Sequence, residues 1–207
     1  MSRTTIRKTF AALAVAIVFP VLACLASPAT PNGETHDGIE VACDLPKPLR
    51  IRNTGGTDGA GLCVWASMEM AARYQNCRPL IGVFQRMQKE PGGGWPERVD
   101  RVMQRDAPQV KYRQYMGSDL DFIKQGIASG RPVCATYGYG ELYGMQTIAH
   151  MVLIVHCDDK LTCVLDNNDP GRLWWMATDE FQRRFVHGGG GWAYYTLAPP
   201  PPPVPHN

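Results

Sequence analysis

The chain has 207 residues, 44% of them apolar, and carries 21 Lys and Arg against 19 Asp and Glu. A charge balance this close to neutral, with no basic cluster interleaved with aromatics, excludes a nucleic-acid binder held by phosphate contacts. Once a leader is set aside, the remainder is long enough for one domain with a real core, or for two lobes sharing a cleft.

That leader is the first feature in chain order. Arg3, Arg7 and Lys8 precede the apolar run 11–19, then Pro20 and the small-residue segment 21–27, which is the layout of a secretory signal over residues 1–26. The apolar stretch is shorter than the ~20 residues a spanning helix needs, so an exported chain is expected rather than a membrane-spanning one. Val21-Leu22-Ala23-Cys24 also has the form of a bacterial lipoprotein processing box, in which Cys24 would be lipidated and attach the chain to a membrane; ordinary cleavage near Ala26 is the alternative. Secreted, periplasmic and membrane-anchored destinations all follow from one or other reading.

Residues 27–50, with prolines at 28, 31, 46 and 48, read as an irregular lead-in. A glycine-rich run, Asn53 to Gly61, follows. The residues from Cys63 then turn helical, with Val64, Met68, Ala71 and Ala72 on one stripe and Glu69 and Arg73 as an i, i+4 pair. This arrangement predicts an apolar face and a solvated one. It also places a thiol at the first turn of a helix, where unpaired N–H groups and the macrodipole favour thiolate. Packing alone would be the plainer use of a cysteine, a residue type most often buried.

A second helix is expected over 79–89, stopped by Pro91-Gly92-Gly93-Gly94. A third opens at Trp95-Pro96-Glu97 with Val99, Val102 and Met103 as its stripe. A fourth starts with Ser118 as N-cap and ends at Gly130. The period then changes: 132–137 reads as a strand, 138–145 as a glycine- and tyrosine-rich loop, and 150–156, 161–166 and 192–197 as further strands. A short capped helix is expected over 178–185, and 199–207 is a proline-rich tail. Helices first and strands second argue α+β with two lobes. Six cysteines follow Cys24, and Cys157 and Cys163, flanking a hairpin turn at Asp158-Asp159-Lys160, are the pair to test first for a disulfide in an oxidising compartment.

A nucleophilic thiol needs a base, and a base needs an orienting partner. His150 begins a strand at the mouth of the glycine and tyrosine loop. The returning strand ends in Leu165-Asp166-Asn167-Asn168-Asp169-Pro170. A two-residue hairpin loop would put Asn167 opposite His150, and a three-residue loop Asp166. The competing account of this cluster is a polar turn before Pro170. A zinc site from His150, His156, Cys157 and Cys163 matches no common ligand spacing. Gly55 to Gly59 lacks the Lys-Ser/Thr that would make it a phosphate loop.

The order Cys, His, Asp/Asn, with the thiol opening a helix in a first lobe and the others on adjacent strands of a second, resembles the papain-like cysteine peptidases. The look is closest to bacterial papain-like peptidases, including those that trim leaders at double-glycine sites. The matching stretches are Gly61-Leu62-Cys63-Val64-Trp65-Ala66-Ser67, Gly130-Arg131-Pro132-Val133 and Ala149-His150-Met151-Val152-Leu153, with Asp166 sixteen residues after His150.

The resemblance spans 51–198. It implies a papain-like fold with a helical lobe, an antiparallel sheet lobe and the active site between them. It also implies a peptide or protein substrate, and chemistry without a metal or cofactor. Cys63 is then nucleophile, His150 base and Asp166 orienter, with Asn167 in reserve. The family usually places an oxyanion glutamine six residues before the nucleophile. Thr57 stands there instead, leaving the Thr57 hydroxyl, Asn53 and the Cys63 N–H as oxyanion candidates. Trp65, Tyr139 and Trp174 are the candidate cleft-wall residues for substrate. The same triad serves cell-wall amidases and acyl or amine transferases, and an inactive papain-like module that binds peptides is the non-enzymatic alternative.

Overall fold

The computed structural model describes residues 32–56, 58–138, 150–187 and 190–202. The leader with Cys24, Thr57, the loop containing Tyr139 and the last residues of the tail lie outside them. In chain order the elements are β1 (Thr35–His36), β2 (Ile39–Glu40), α1 (Cys63–Tyr74), α2 (Val83–Met87), α3 (Pro96–Asp106), β3 (Tyr112–Gly117), α4 (Asp121–Ala128) and β4 (Val133–Tyr137). There follow β5 (His150–Cys157), β6 (Leu161–Leu165), β7 (Trp174–Ala177), α5 (Thr178–Phe185) and β8 (Gly191–Thr196). The fold is α+β. Six strands form one antiparallel sheet in the order β3-β8-β4-β5-β6-β7. No helix among the described residues is long and apolar enough to cross a membrane.

Helices cover both faces of the sheet. Adjacent residues of β8 show the alternation, because successive strand side chains point to opposite faces. Tyr194 turns to α3, its hydroxyl 3.6 Å from Met103 Sδ, while Tyr195 packs on Phe122 of α4 at 4.8 Å between ring centroids. The α1 helix shares the α3 side, where the Arg98 guanidinium lies 5.8 Å from the Trp65 ring. On the other side α5 joins α4: Gln182 donates to the Ser118 carbonyl, and Arg184 stands over the Tyr137 ring. Buried residues from the helices of the first half and the strands of the second belong to one core cluster.

The apolar stripe predicted for α1 is a correction. Every residue from Val64 to Ala72 is buried, Glu69 included. The helix is central because Ala66, Ala71 and Ala72 let its backbone approach neighbours closely on more than one side. Glu69 is tolerated there because it is fully bonded, to Arg73 at 2.6 and 3.0 Å and to the Phe84 N–H of α2 at 2.8 Å.

Other differences have local causes. The expected second helix is broken at Gly82, whose φ of +87° interrupts the turn, leaving a 3-10 turn Arg78–Leu80 and the short α2. Ser118 does not cap α4, which begins three residues later after Leu120. The sequence carries no strand signal for β3 or β7. The lead-in is not wholly irregular: Asp37 and Gly38, at φ +50° and +78°, make the two-residue turn of the β1–β2 hairpin. His36 stacks on Trp175 of β7 at 5.1 Å, and Cys43 and Leu45 are buried in the common core.

The six described cysteines are all free, and the Cys157–Cys163 pairing is overturned by register. Cys163 pairs with His156 and Cys157 with Thr162, so the two sulfurs point to opposite faces of the sheet.

Candidate active site

Cys63 is the first residue of α1. It is partly exposed, and its backbone carbonyl and that of Met151 accept from the same Asn167 side-chain amide, at 3.1 and 2.7 Å. The Met151 contact matters most for the geometry, because Met151 follows His150 at the start of β5. Two regions more than eighty residues apart in sequence therefore meet at the first turn of α1.

His150 is buried, and its Nε2 lies 2.9 Å from Asp166 Oδ1 just beyond the end of β6. Asp166 Oδ1 also accepts the Asn168 N–H at 2.8 Å. Neither hairpin register expected from the sequence occurs. Cys157 opposes Thr162 beside a longer loop, and a β-bulge between Ile154 and His156 shifts the pairing to Leu153 with Leu165. Continued to the site, this register sets Asn168 opposite His150 and Asp166 on the same face two residues away.

Burial governs the electrostatics. It pushes Asp166 up to about 6, against the opposing Asn168 N–H, and His150 down to about 4. An ion pair would shift both groups the other way. At neutral pH the pair is therefore a neutral imidazole donating its Nε2–H to a carboxylate, which fixes the tautomer and assigns the basic role to Nδ1. The thiol too is pushed up, chiefly by burial; the N–H groups of Met151, Val64 and Cys63 oppose this, and the Asp166 charge adds to it. The expectation of a resting thiolate is corrected accordingly. Desolvation outweighs the helix terminus, so Cys63 rests as a thiol.

Asn167 is not placed as a second partner for His150. Its Nδ2 reaches the Met151 carbonyl at 2.7 Å, Ser67 Oγ at 2.9 Å and the Cys63 carbonyl at 3.1 Å. Asn53 is likewise a bracket. Its Oδ1 accepts the Leu62 N–H at 3.2 Å, its Nδ2 donates to Asn168 Oδ1 at 3.0 Å, and its own N–H donates to the Asn167 carbonyl at 2.6 Å. Asn53's side chain is thus engaged in the scaffold, Thr57 lies outside the described residues, and the Cys63 N–H stands at the first turn of α1.

Trp65 is fully buried, which overturns its place on a cleft wall. Two residues of helix carry it about 200° around the axis from Cys63, into the core. Trp174 remains partly exposed at the start of β7, paired with Val164, with the Arg172 guanidinium 3.2 Å from its ring centroid. That is the same end of the sheet as Asp166.

The sequence marks Pro91-Gly92-Gly93-Gly94 only as a helix stop, yet the loop Gly92–Trp95 lies against the start of α1. A Cβ on Gly94 would overlap the Val64 side chain, and one on Gly93 would come within 3.0 Å of the Gly61 carbonyl. Asp58 Oδ2 accepts the Gly92 N–H at 2.6 Å and Arg98 donates to the Gly93 carbonyl at 2.8 Å, tying the two glycine-rich loops together beside the thiol. Hollows of about 300 and 320 Å³ lined by Cys77, Val110 and Leu197, and by Met103, Ala107 and Tyr112, touch none of Cys63, His150 and Asp166.

No protein-family model matches the chain, and no curated protein matches it in sequence.

Proposed function

We propose that the chain is an exported papain-like thiol hydrolase that cleaves amide bonds in peptides or proteins. The observation that carries this reading is the 2.9 Å hydrogen bond between His150 and Asp166 at the start of β5, beside Met151, whose carbonyl shares the Asn167 amide with the carbonyl of Cys63. In the proposed reaction His150 Nδ1 takes the thiol proton as Sγ attacks the carbonyl carbon. Asp166 holds the Nε2–H and stabilises the imidazolium, and the Cys63 N–H faces the oxyanion. The imidazolium then gives its proton to the leaving amine, and water releases the acyl group from sulfur. Because both partners rest neutral, proton transfer accompanies attack instead of preceding it. A papain-like division into two lobes would assign α1 to α3 to one wall and the ends of β5 and β6 to the other, with the Gly92–Trp95 loop and Trp174 lining the cleft.

An inactive papain-like peptide-binding module is the second reading, favoured by the raised thiol and by Thr57 at the usual glutamine position. Treatment with 1,3-dibromoacetone, which bridges a thiol to an adjacent imidazole, decides the geometry: a Cys63–His150 cross-link in mapped peptides is expected. Turnover is then measured on unfolded protein and on purified peptidoglycan, with Cys63→Ala as control. No cross-link and no Cys63-dependent cleavage of either material would sink the hydrolase reading; cleavage of peptidoglycan alone would replace the peptidase with a cell-wall amidase.

A further inference from the structure

Asp166, Asn167 and Asn168 follow one another, yet each fastens a different part of the site. Asp166 holds His150. Asn168 accepts from Asn53 through Oδ1 and from Arg52 through its carbonyl, at 3.0 and 2.7 Å, and so secures the segment leading to α1. Asn167, fully buried, reaches the carbonyls of Cys63 and Met151, the residue that bears the thiol and the residue next to the imidazole. Ser67, one helical turn beyond Cys63, completes the contact by accepting from Asn167 and donating to the Met151 carbonyl at 3.2 Å. The Asn167 Oδ1 is buried with no hydrogen-bond partner among the described residues. With its oxygen unsatisfied, what the amide contributes at this buried position comes from its N–H groups.

We propose that Asn167 is a positioning residue, whose amide clamps the first turn of α1 to the start of β5 and so sets the Cys63 thiol against the His150 imidazole. The inference rests on the thiol-hydrolase reading. It gives Asn167 a part in the reaction without contact with substrate, acting through the backbone of the two residues it binds. Misplacement of reacting groups by about 1 Å typically costs on the order of 10²-fold in rate, which is the scale of effect this clamp controls.

The test follows carboxamidomethylation of Cys63 by iodoacetamide across pH in the full chain, read by peptide mass spectrometry, with circular dichroism and urea unfolding alongside. In the wild type, neutral His150 assists loss of the thiol proton and produces a plateau through neutral pH, below the steeper rise of unaided thiolate above about pH 9. Asn167→Leu, of similar size but without donors, is expected to lower the plateau by about 10²-fold and leave the alkaline limb in place. A variant that loses unfolding stability while keeping the plateau would show a purely structural role and overturn the inference. His150→Ala sets the floor: if it keeps the plateau, the hydrolase reading itself falls and the inference falls with it. Should Asn167→Leu not fold, Asn167→Ser retains one short donor and is expected to lower the plateau by a smaller factor, and an unchanged plateau there overturns the inference equally.

Discussion

Replacing Asp166 with Asn keeps the shape of the side chain and an oxygen to accept from His150 and Asn168, but removes the proton-binding site. In the wild type the two buried partners respond to acid in opposite directions. Asp166 is raised from 3.8 to about 6, so its contribution to stability is fully present below pH 3.8 and is lost as pH rises through about 6. His150 is lowered from 6.5 to about 4, so its contribution is present above pH 6.5 and is lost as pH falls through about 4. At about 1.4 kcal/mol per pH unit, each shift is worth about 3 kcal/mol, and between pH 7 and pH 4 they nearly cancel. Asp166→Asn removes the term that offsets His150. The variant should therefore lose about 2 to 3 kcal/mol relative to wild type on acidification to about pH 4, or on the order of 1 M in urea midpoint. Urea unfolding followed by tryptophan fluorescence at both pH values measures this directly, with other carboxylates common to both proteins. His150→Gln should show the reverse, gaining stability relative to wild type as the pH falls. Midpoints that move in parallel for wild type and Asp166→Asn would refute the reasoning that burial, rather than ion pairing, governs this pair.

Two further expectations concern the scaffold. Gly94→Ala would drive a Cβ into Val64 beside the start of α1; thermal unfolding should register a loss of about 1 to 3 kcal/mol, and an unchanged midpoint would mean that the loop yields freely. Non-reducing peptide mapping should find Cys43, Cys63, Cys77, Cys134, Cys157 and Cys163 all as thiols, with native labelling by a small maleimide led by partly exposed Cys63; a recovered Cys157–Cys163 disulfide would contradict the strand register.

Much of the framework was legible because it rests on local signals. Pro96 at a helix start, the apolar run from Met151 to Val155, and the acids opening α5 each specify an element through propensity or period. Cys63, His150 and Asp166 were legible as residue types in an order, and the structure brings them to one place. What escaped depended on tertiary context. The β3 strand carries mixed, partly exposed side chains on a sheet edge, so its period is blurred. The depth of α1, and with it the buried Trp65 and the raised thiol, follows from packing on several sides, which a single apolar stripe does not encode. The Asp37-Gly38 turn was a readable hairpin signal, masked by the prolines around it. The roles of Asn53 and Asn167 as brackets required knowing which carbonyls and N–H groups stood near them.

The bulge between Ile154 and His156 has a chemical outcome out of proportion to its size. With the pairing of Cys157 and Thr162 continued unbroken, odd-numbered residues of β6 would share a side with His150, and an amide at 167 would meet the imidazole where a carboxylate now does. One skipped rung exchanges the two. It gives the ring an acid as its partner and frees the neighbouring amide to stitch helix to strand, so a backbone irregularity five residues away decides whether a carboxylate or an amide faces the imidazole.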